Sequence, residues 1–233
     1  MTAHRVGTRE EWTAARLDLM AREKELNHLR DELAAQRRVL PWVPVEEAYR
    51  FDGPDGSRTL RELFDGRSQL LVYHFMFGPD WDEGCPSCSF WADNFDGVGV
   101  HLAHRDVTLV AVSRADLDRL TAYQQRMGWT FPWYSSGQST FNVDYHVSFT
   151  PEQQAAGADY NFAHMEHPPD ELPGISVFAT DGTDQVFHTY STYARGLDPI
   201  NSAYQLLDLV PAGRDENGLP HHNAWLRRHD AYD

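Results

Sequence analysis

The sequence is poor in cysteine and has no long hydrophobic run. Its 233 residues include two cysteines, too few for a small secreted scaffold held together by several disulfides. No apolar run reaches the length that spans a membrane, and the start of the chain lacks the apolar region of a secretory signal. We therefore expect a cytoplasmic protein, in which closely spaced cysteines are more often catalytic or metal-binding than structural.

Basic residues are scarce as well. The chain has 20 Lys and Arg residues against 35 Asp and Glu residues, which gives a formal net charge of −15. Nucleic acids and anionic membranes both need a basic face on the protein that binds them. The composition therefore argues against both partners and is that of an acidic globular protein, long enough for one well-buried domain with extensions.

The two cysteines lie three positions apart, in the motif Cys85-Pro-Ser-Cys88. The apolar run 70–77 before them predicts a strand buried on both faces, and Pro86 suits the first turn of a helix. At a helix N-terminus two such thiols lie within disulfide reach, and the helix dipole and unpaired N–H groups stabilise a thiolate. This order predicts a redox pair, with Cys85 as the exposed nucleophile and Cys88 as the thiol that resolves a mixed disulfide.

Sequence periodicity predicts an α/β domain around the motif. Residues 9–40 predict a long helix with apolar residues every seven positions, which either packs on its own domain or pairs with a second copy in a homodimer. Alternation and turn signals predict strands at 42–51, 106–113 and 129–134, helices at 86–104, 114–127 and 197–210, and a β-hairpin over 174–190. We thus expect a helical extension over 1–40, a domain over 41–210 with an irregular insertion at about 135–170, and a polar tail over 211–233. The strand–helix alternation requires parallel pairing.

Acidic residues crowd the predicted loop before the motif. Asp80, Asp82 and Glu83 would raise the pKa of the Cys85 thiol unless they point away or meet Arg195, because a nearby carboxylate disfavours a thiolate. Alternatively, one of them accepts the proton of Cys88.

Two further residues belong to the predicted surroundings of the thiols. Trp81 either shields the site, forms a docking surface or has an ordinary packing role. Pro173 precedes the hairpin, where a cis-proline facing the disulfide would sit. His74, inside the buried strand, is predicted to be a core histidine.

Other interpretations of the motif remain open. The thiolates could bind a metal such as zinc with His164, His167 or both, since a zinc site needs two more ligands. The cysteines could instead be buried and inert, in a non-catalytic module that dimerises through residues 9–40.

Segment 73–95, YHFMFGPDWDEGCPSCSFWADNF, strongly resembles a thioredoxin-like family known as domain-of-unknown-function family 899, many of whose members are named predicted dithiol-disulfide oxidoreductases. VFHTYS at 186–191, Arg195-Gly196 and LLDLVPAGRDE at 206–216 are similar to the same family. The resemblance implies a thioredoxin-like fold, with a central mixed β-sheet flanked by helices, and Cys85 and Cys88 as the redox pair. It implies no substrate.

The motif departs from better-known relatives of that fold. Gly84 stands where thioredoxin has tryptophan, and the Cys-Pro-x-Cys form is closer to glutaredoxins, although no glutathione-binding pattern is recognisable. Asp82 occupies the place where peroxiredoxins have a hydroxyl residue that binds peroxide. We therefore expect a dithiol-disulfide oxidoreductase rather than a peroxidase of that mechanism. It would act on a protein or small-molecule disulfide, with a cytoplasmic thiol reductant and no bound organic cofactor.

Overall fold

The computed structural model describes residues 4–232, so residues 1–3 and 233 of the expected extension and tail lie outside it. The chain divides into two compact units, 1–41 and 42–233. The first unit contains helix α1, Arg9–Arg38. Thr8 caps it, because its hydroxyl accepts from the Glu11 amide at 3.2 Å while the Glu11 carboxylate accepts from the Thr8 amide at 2.8 Å. None of the helix residues 9–38 is buried.

The second unit contains a mixed β-sheet flanked by helices. The strands of this unit are β1 Val43–Pro44, β2 Arg50–Gly53, β3 Gly56–Thr59, β4 Gln69–His74, β5 Val107–Ser113, β6 Trp133–Ser135, β7 Ala158–Tyr160, β8 Ala163–Met165, β9 Gly174–Thr180 and β10 Val186–Tyr193. Its helices are α2 Pro86–Ala92, α3 Gly99–His104, α4 Leu117–Met127, α5 Phe141–Asp144, α6 Pro151–Ala156 and α7 Ser202–Leu207. Short 3₁₀ helices cover Glu62–Phe64, Ala194–Ile200 and His229–Ala231.

The strand order of the main sheet is β1-β10-β9-β4-β5-β6-β2-β3. The central strands β4, β5 and β6 are parallel, whereas β9 pairs antiparallel with β4 and then with β10. Parallel neighbours need helical crossovers, which α2–α3 and α4 supply. A β-α-β-α-β half followed by an antiparallel hairpin is the thioredoxin topology, so the predicted fold class is confirmed.

Alternating residues of β4 enter two separate hydrophobic clusters. Tyr73 belongs to the cluster that contains Cys88 and Trp91, which we call the thiol face. Val72 belongs to the cluster on the other side, with Phe141 and Phe178, which we call the histidine face because the His74 ring contacts the Phe141 ring there. His74 is 1% exposed, so the prediction of a core histidine is confirmed.

Several predicted elements are shorter than expected. The predicted helix over 86–104 consists of α2 and α3, separated by turns in which Gly97 adopts a φ of 82°. The predicted closing helix over 197–210 is a 3₁₀ helix followed by α7, because Pro199 lacks an amide hydrogen and Asn201 caps a new helix.

The insertion at 135–170 is not irregular throughout. It contains α5, α6 and the two-stranded β7–β8 sheet. Thr150 and Gln153 form a capping box at α6, a signal that is visible in the sequence. Among the described residues, no helix combines the length and apolar content that crossing a membrane requires.

Candidate active site

The cysteine pair lies at the start of α2, directly after the loop that leaves β4. Cys85 is the N-cap residue and Pro86 the first helical residue. The loop is closed by two contacts at Met76, whose carbonyl accepts from the Cys85 amide at 3.1 Å and whose amide lies 3.4 Å from the Cys88 sulfur. The strand–CxxC–helix arrangement expected from the sequence is therefore present, with both thiols free.

The residue before the motif must be small. A Cβ at Gly84 would lie 2.7 Å from the Phe75 ring and 2.9 Å from the Tyr123 ring. Both rings belong to the buried thiol face, so they cannot yield easily. This close approach explains why glycine, rather than the tryptophan of thioredoxin, precedes Cys85.

Cys85 is partly exposed and has an acidic thiol. Its pKa is lowered to about 7, chiefly by a hydrogen bond from the Cys88 thiol and then by the backbone amides of Cys88 and Ser87, with a smaller contribution from the Arg228 charge. These donors favour the thiolate against the opposing effect of burial. The reactive thiolate is therefore more accessible at neutral pH than in an ordinary cysteine.

Cys88 has the opposite properties. It is 1% exposed, and burial raises the pKa of its thiol well above the ordinary value. The Tyr73 hydroxyl donates to the Cys88 carbonyl at 3.2 Å and helps to hold this turn of α2. The two thiols thus differ in both access and acidity, as a nucleophile and a resolving thiol should.

The acidic loop does not raise the pKa of the Cys85 thiol. Glu83 forms ion pairs with Arg228, at 2.9 Å, and with Arg126, so its charge is compensated. Asp82 is exposed. The expected partner Arg195 instead pairs with Asp198, with 3.2 Å between Nε and Oδ2. The pKa of Cys85 is lowered rather than raised, which is the case expected when the carboxylates point away or meet an arginine, although Glu83 meets Arg126 and Arg228 rather than Arg195.

Trp81 links the loop to the end of the insertion. Its indole nitrogen donates to the Asp170 carboxylate at 2.8 Å, and its side chain packs against the thiol face. Arg119 on α4 donates to the carbonyls of Pro79 and Trp81 at 2.6 and 3.1 Å. The loop before Cys85 is therefore fixed from both sides.

The C-terminal segment contributes a residue that sequence reasoning missed. The Arg228 guanidinium donates to the Gly84 carbonyl at 2.8 Å and to the Tyr123 hydroxyl at 3.0 Å. Leu226 is 4% exposed and anchors this segment in the thiol face. The signal in the sequence is the apolar pair Trp225-Leu226 inside a polar tail, which is too short to show a period.

An apolar cavity of about 200 Å³ opens beside Cys88. Pro173 and Arg195, both predicted from sequence to surround the thiols, line it together with Ser87 of the motif. His222, for which no sequence pattern predicts a role, also lines it. All described peptide bonds are trans, so Pro173 borders the site without the expected cis isomer.

The alternative metal site is not assembled. Within residues 4–232, no three His, Cys, Asp or Glu side chains are grouped closely enough to hold a metal ion. His164, on β8, is exposed and lies 3.4 Å from Asp159. Neither it nor His167 joins the two thiols, so the histidine-containing ligand set expected as an alternative is wrong for this structure.

With this geometry established, the family can be assigned. The model of a family described as "Bacterial protein of unknown function (DUF899)" matches residues 1–232. The chain belongs to this family. The predicted resemblance is confirmed, and no curated protein matches the sequence.

Solved structures with a similar fold include several peroxiredoxins. Peroxidoxin BcpB from Mycobacterium tuberculosis is 13% identical, with a TM-score of 0.47 over 72% of this chain and 96% of that one. Peroxiredoxin Q from Xanthomonas campestris is 14% identical, with a TM-score of 0.44 over 70% and 97% of the two chains. The mitochondrial 2-Cys peroxiredoxin from Plasmodium falciparum is 12% identical, with a TM-score of 0.42 over 72% and 95%. Likeness at this level carries no information about the reaction.

Proposed function

We propose that this DUF899 protein is a dithiol-disulfide oxidoreductase, with Cys85 as nucleophile and Cys88 as resolving thiol. The observation that carries the proposal is the difference between the two thiols. Cys85 is partly exposed with a pKa of about 7, whereas Cys88 is buried with a raised pKa. A structural pair of cysteines has no need for this asymmetry, but a nucleophile and its resolving partner do.

In the first step the Cys85 thiolate attacks one sulfur of a substrate disulfide, RSSR. A Cys85–S–R bond forms, the substrate S–S bond breaks, and RS⁻ leaves and takes up a proton. While Cys85 is free, the donors that support its thiolate are the Cys88 thiol and the amides at the start of α2. They lie on the same helical turn, so no conformational change is needed to activate the nucleophile.

In the second step Cys88 attacks the Cys85 sulfur. The Cys85–Cys88 disulfide forms, the second RS⁻ leaves, and the Cys88 proton is released with the product as RSH. The substrate gains two electrons and the dithiol loses two, so a thiol reductant must restore the pair. We infer a cytoplasmic thiol system as that reductant, and a protein or small-molecule disulfide as the substrate.

The experiment compares two matched variants. Cys88→Ser, treated with a disulfide, is expected to retain a Cys85 mixed disulfide, which mass spectrometry detects because the resolving step is lost. Cys85→Ser is expected to form no adduct and to have no turnover. The wild-type pair, equilibrated against dithiothreitol buffers and alkylated, should behave as a reversible two-electron couple between the thioredoxin and glutaredoxin ranges. Thiols that neither oxidise nor alkylate until the protein is denatured would overturn the proposal.

A further inference from the structure

The apolar cavity beside Cys88 lies where the organic group of a bound substrate would be placed. Its wall includes the Cys88 side chain and Ser87 from α2, Met76 from the preceding loop, and Leu172 and Pro173 from the segment before β9. An organic group carried by the sulfur bonded to Cys85 can reach this space, because Cys88 lies one helical turn from Cys85. The cavity thus lies within one helical turn of the sulfur that would carry the substrate group.

The wall of the cavity is mostly hydrophobic, and two of its polar side chains, Tyr160 and Trp91, already have partners. The Tyr160 hydroxyl donates to the Pro173 carbonyl at 2.8 Å and accepts from the Ala194 amide at 3.0 Å. The Trp91 indole donates to the Leu197 carbonyl at 3.0 Å. A polar group placed against these side chains would lose its bonds to water without full compensation.

Charges at the edge of the cavity are also paired. Asp198 accepts from Arg195 at 3.2 Å and from Arg214 at 3.1 Å. Arg214 in turn binds Asp208 at 2.8 Å. A charged ligand would have to compete with these existing pairs.

The volume limits the size of the group that fits. An engineered apolar cavity of about 150 Å³ binds benzene, and the cavity beside Cys88 has about 200 Å³. A single aromatic ring or a short alkyl chain therefore fits, whereas a peptide backbone with several side chains does not.

We propose that the substrates are low-molecular-weight organic disulfides with an uncharged alkyl or aryl group, which occupies this cavity while its sulfur is bonded to Cys85. This inference rests on the proposed function and specifies its substrate class. In the overall reaction, the disulfide RSSR and the Cys85–Cys88 dithiol yield two RSH and the protein disulfide.

The test uses two disulfides of nearly equal size, dipropyl disulfide and bis(2-hydroxyethyl) disulfide, which differ by a methyl and a hydroxyl group at each end. Reduced full-length protein is mixed with each, quenched with acid, and analysed by alkylation and mass for the Cys85–Cys88 disulfide. Each rate is divided by that of the same disulfide with a simple thiol, which removes intrinsic reactivity. We expect the normalised rate for dipropyl disulfide to be about 10- to 100-fold higher.

A filled cavity should abolish this preference. In Leu172→Trp the larger side chain takes up part of the space, and the ratio of the two normalised rates is expected to fall towards one. Leu207→Trp is the matched control. Leu207, the last residue of α7, is also partly buried against the thiol face, but it does not line the cavity. The control should keep the wild-type ratio.

The outcomes separate this inference from the proposed function. If wild-type protein is oxidised by both disulfides at equal normalised rates, or prefers the hydroxyl compound, the substrate class is wrong and the oxidoreductase function stands. A preference that survives in Leu172→Trp also overturns the role of the cavity. If neither disulfide oxidises the folded dithiol, the proposed function itself fails.

Discussion

Two titratable groups on opposite faces of the central sheet, His74 and Cys85, differ in the charge that they keep on burial. Tyr73 and His74 are neighbours on β4, yet Tyr73 lies on the thiol face and His74 on the histidine face. On the histidine face burial lowers the pKa of His74 to about 3, so the ring stays neutral. On the thiol face Cys85 keeps a pKa of about 7 in spite of burial.

The difference arises from the donors that each face supplies. His74 bonds to the Ser176 hydroxyl at 2.8 Å, which bonds to Ser191 at 2.9 Å and through it to His188 at 2.8 Å. This chain is composed of uncharged groups, since burial lowers the pKa of His188 as well. Cys85, by contrast, lies at a helix N-terminus whose amides favour an anion. A buried charge persists in this fold where backbone donors converge on it.

The largest expected effect is a loss of activity when the thiol face is changed, with no such loss when the histidine face is changed. Cys85→Ser should lower the rate of disulfide reduction at least about a thousandfold, because serine supplies no thiolate. His74→Asn should keep the wild-type rate within about twofold, since His74 lies on the opposite face. Both rates are measured by stopping the reaction with an alkylating reagent and determining the protein mass. A large loss of activity in folded His74→Asn would show that the faces are coupled.

The next effect concerns stability and tests the histidine face. In the folded state His74 stays neutral down to about pH 3, whereas in the unfolded chain it becomes protonated below about 6.5. The unfolded state therefore binds more protons in this window, and the contribution of His74 to stability is present above pH 6.5 and is lost as the pH falls towards 3. Between pH 7 and pH 4 this amounts to about 3 kcal/mol.

Urea unfolding of wild type and His74→Asn at both pH values measures this contribution. The variant should lose less stability on acidification than wild type by about that amount. His101→Asn is the matched control, because His101 is exposed on α3.

Glu171 has a pKa raised to about 7 by burial, so its contribution to stability is lost as the pH rises through 7. That opposite trend is common to both proteins and cancels in the difference. Equal pH dependence in variant and wild type would contradict the prediction.

A smaller effect tests the donor set of the thiol face. Cys88→Ala removes the hydrogen bond that contributes most to the low pKa of Cys85. The midpoint of the alkylation rate against pH should therefore move upward from about 7, by about one pH unit. Cys88→Ser, which keeps a hydrogen-bond donor, should move it less. A midpoint unchanged in Cys88→Ala would assign the acidity to the helix amides alone.

The smallest expected effect belongs to Arg228. Its charge lowers the pKa of Cys85, but by less than the Cys88 thiol and the backbone amides do. Arg228→Met should raise the alkylation midpoint by about half a pH unit or less, since a partly solvated charge is screened. Arg227→Met is the control, because Arg227 is exposed and donates to the Ala224 and Leu226 carbonyls instead. A similar shift in both variants would show a general loss of positive charge.

The sequence predicted the parts of the fold that depend on local pattern. The CxxC at a helix start and the hairpin around Asp181-Gly182 lie in the predicted elements, and β4 covers the first part of the apolar run 70–77, ending at His74. These signals work because buried parallel strands and tight turns have strong residue preferences. The asymmetry of the two thiols also follows from their position on the helix.

Contacts between distant segments could not be predicted in the same way. Glu83 is paired with Arg126 and Arg228, and no spacing in the sequence distinguishes these arginines from Arg195. The cavity likewise forms from side chains as far apart as Tyr73 and Asn223. Such groupings depend on how the elements pack in three dimensions, which periodicity does not encode.

The contact between Arg228 and the Gly84 carbonyl spans 144 residues of sequence. A ribosome adds about 5 to 20 residues each second, so the cysteine motif is made several seconds or more before the guanidinium that supports its thiolate. During that interval the nascent chain carries a less acidic Cys85. The small contribution of Arg228 to the acidity of Cys85 is therefore the last to form, once the C-terminal segment has docked.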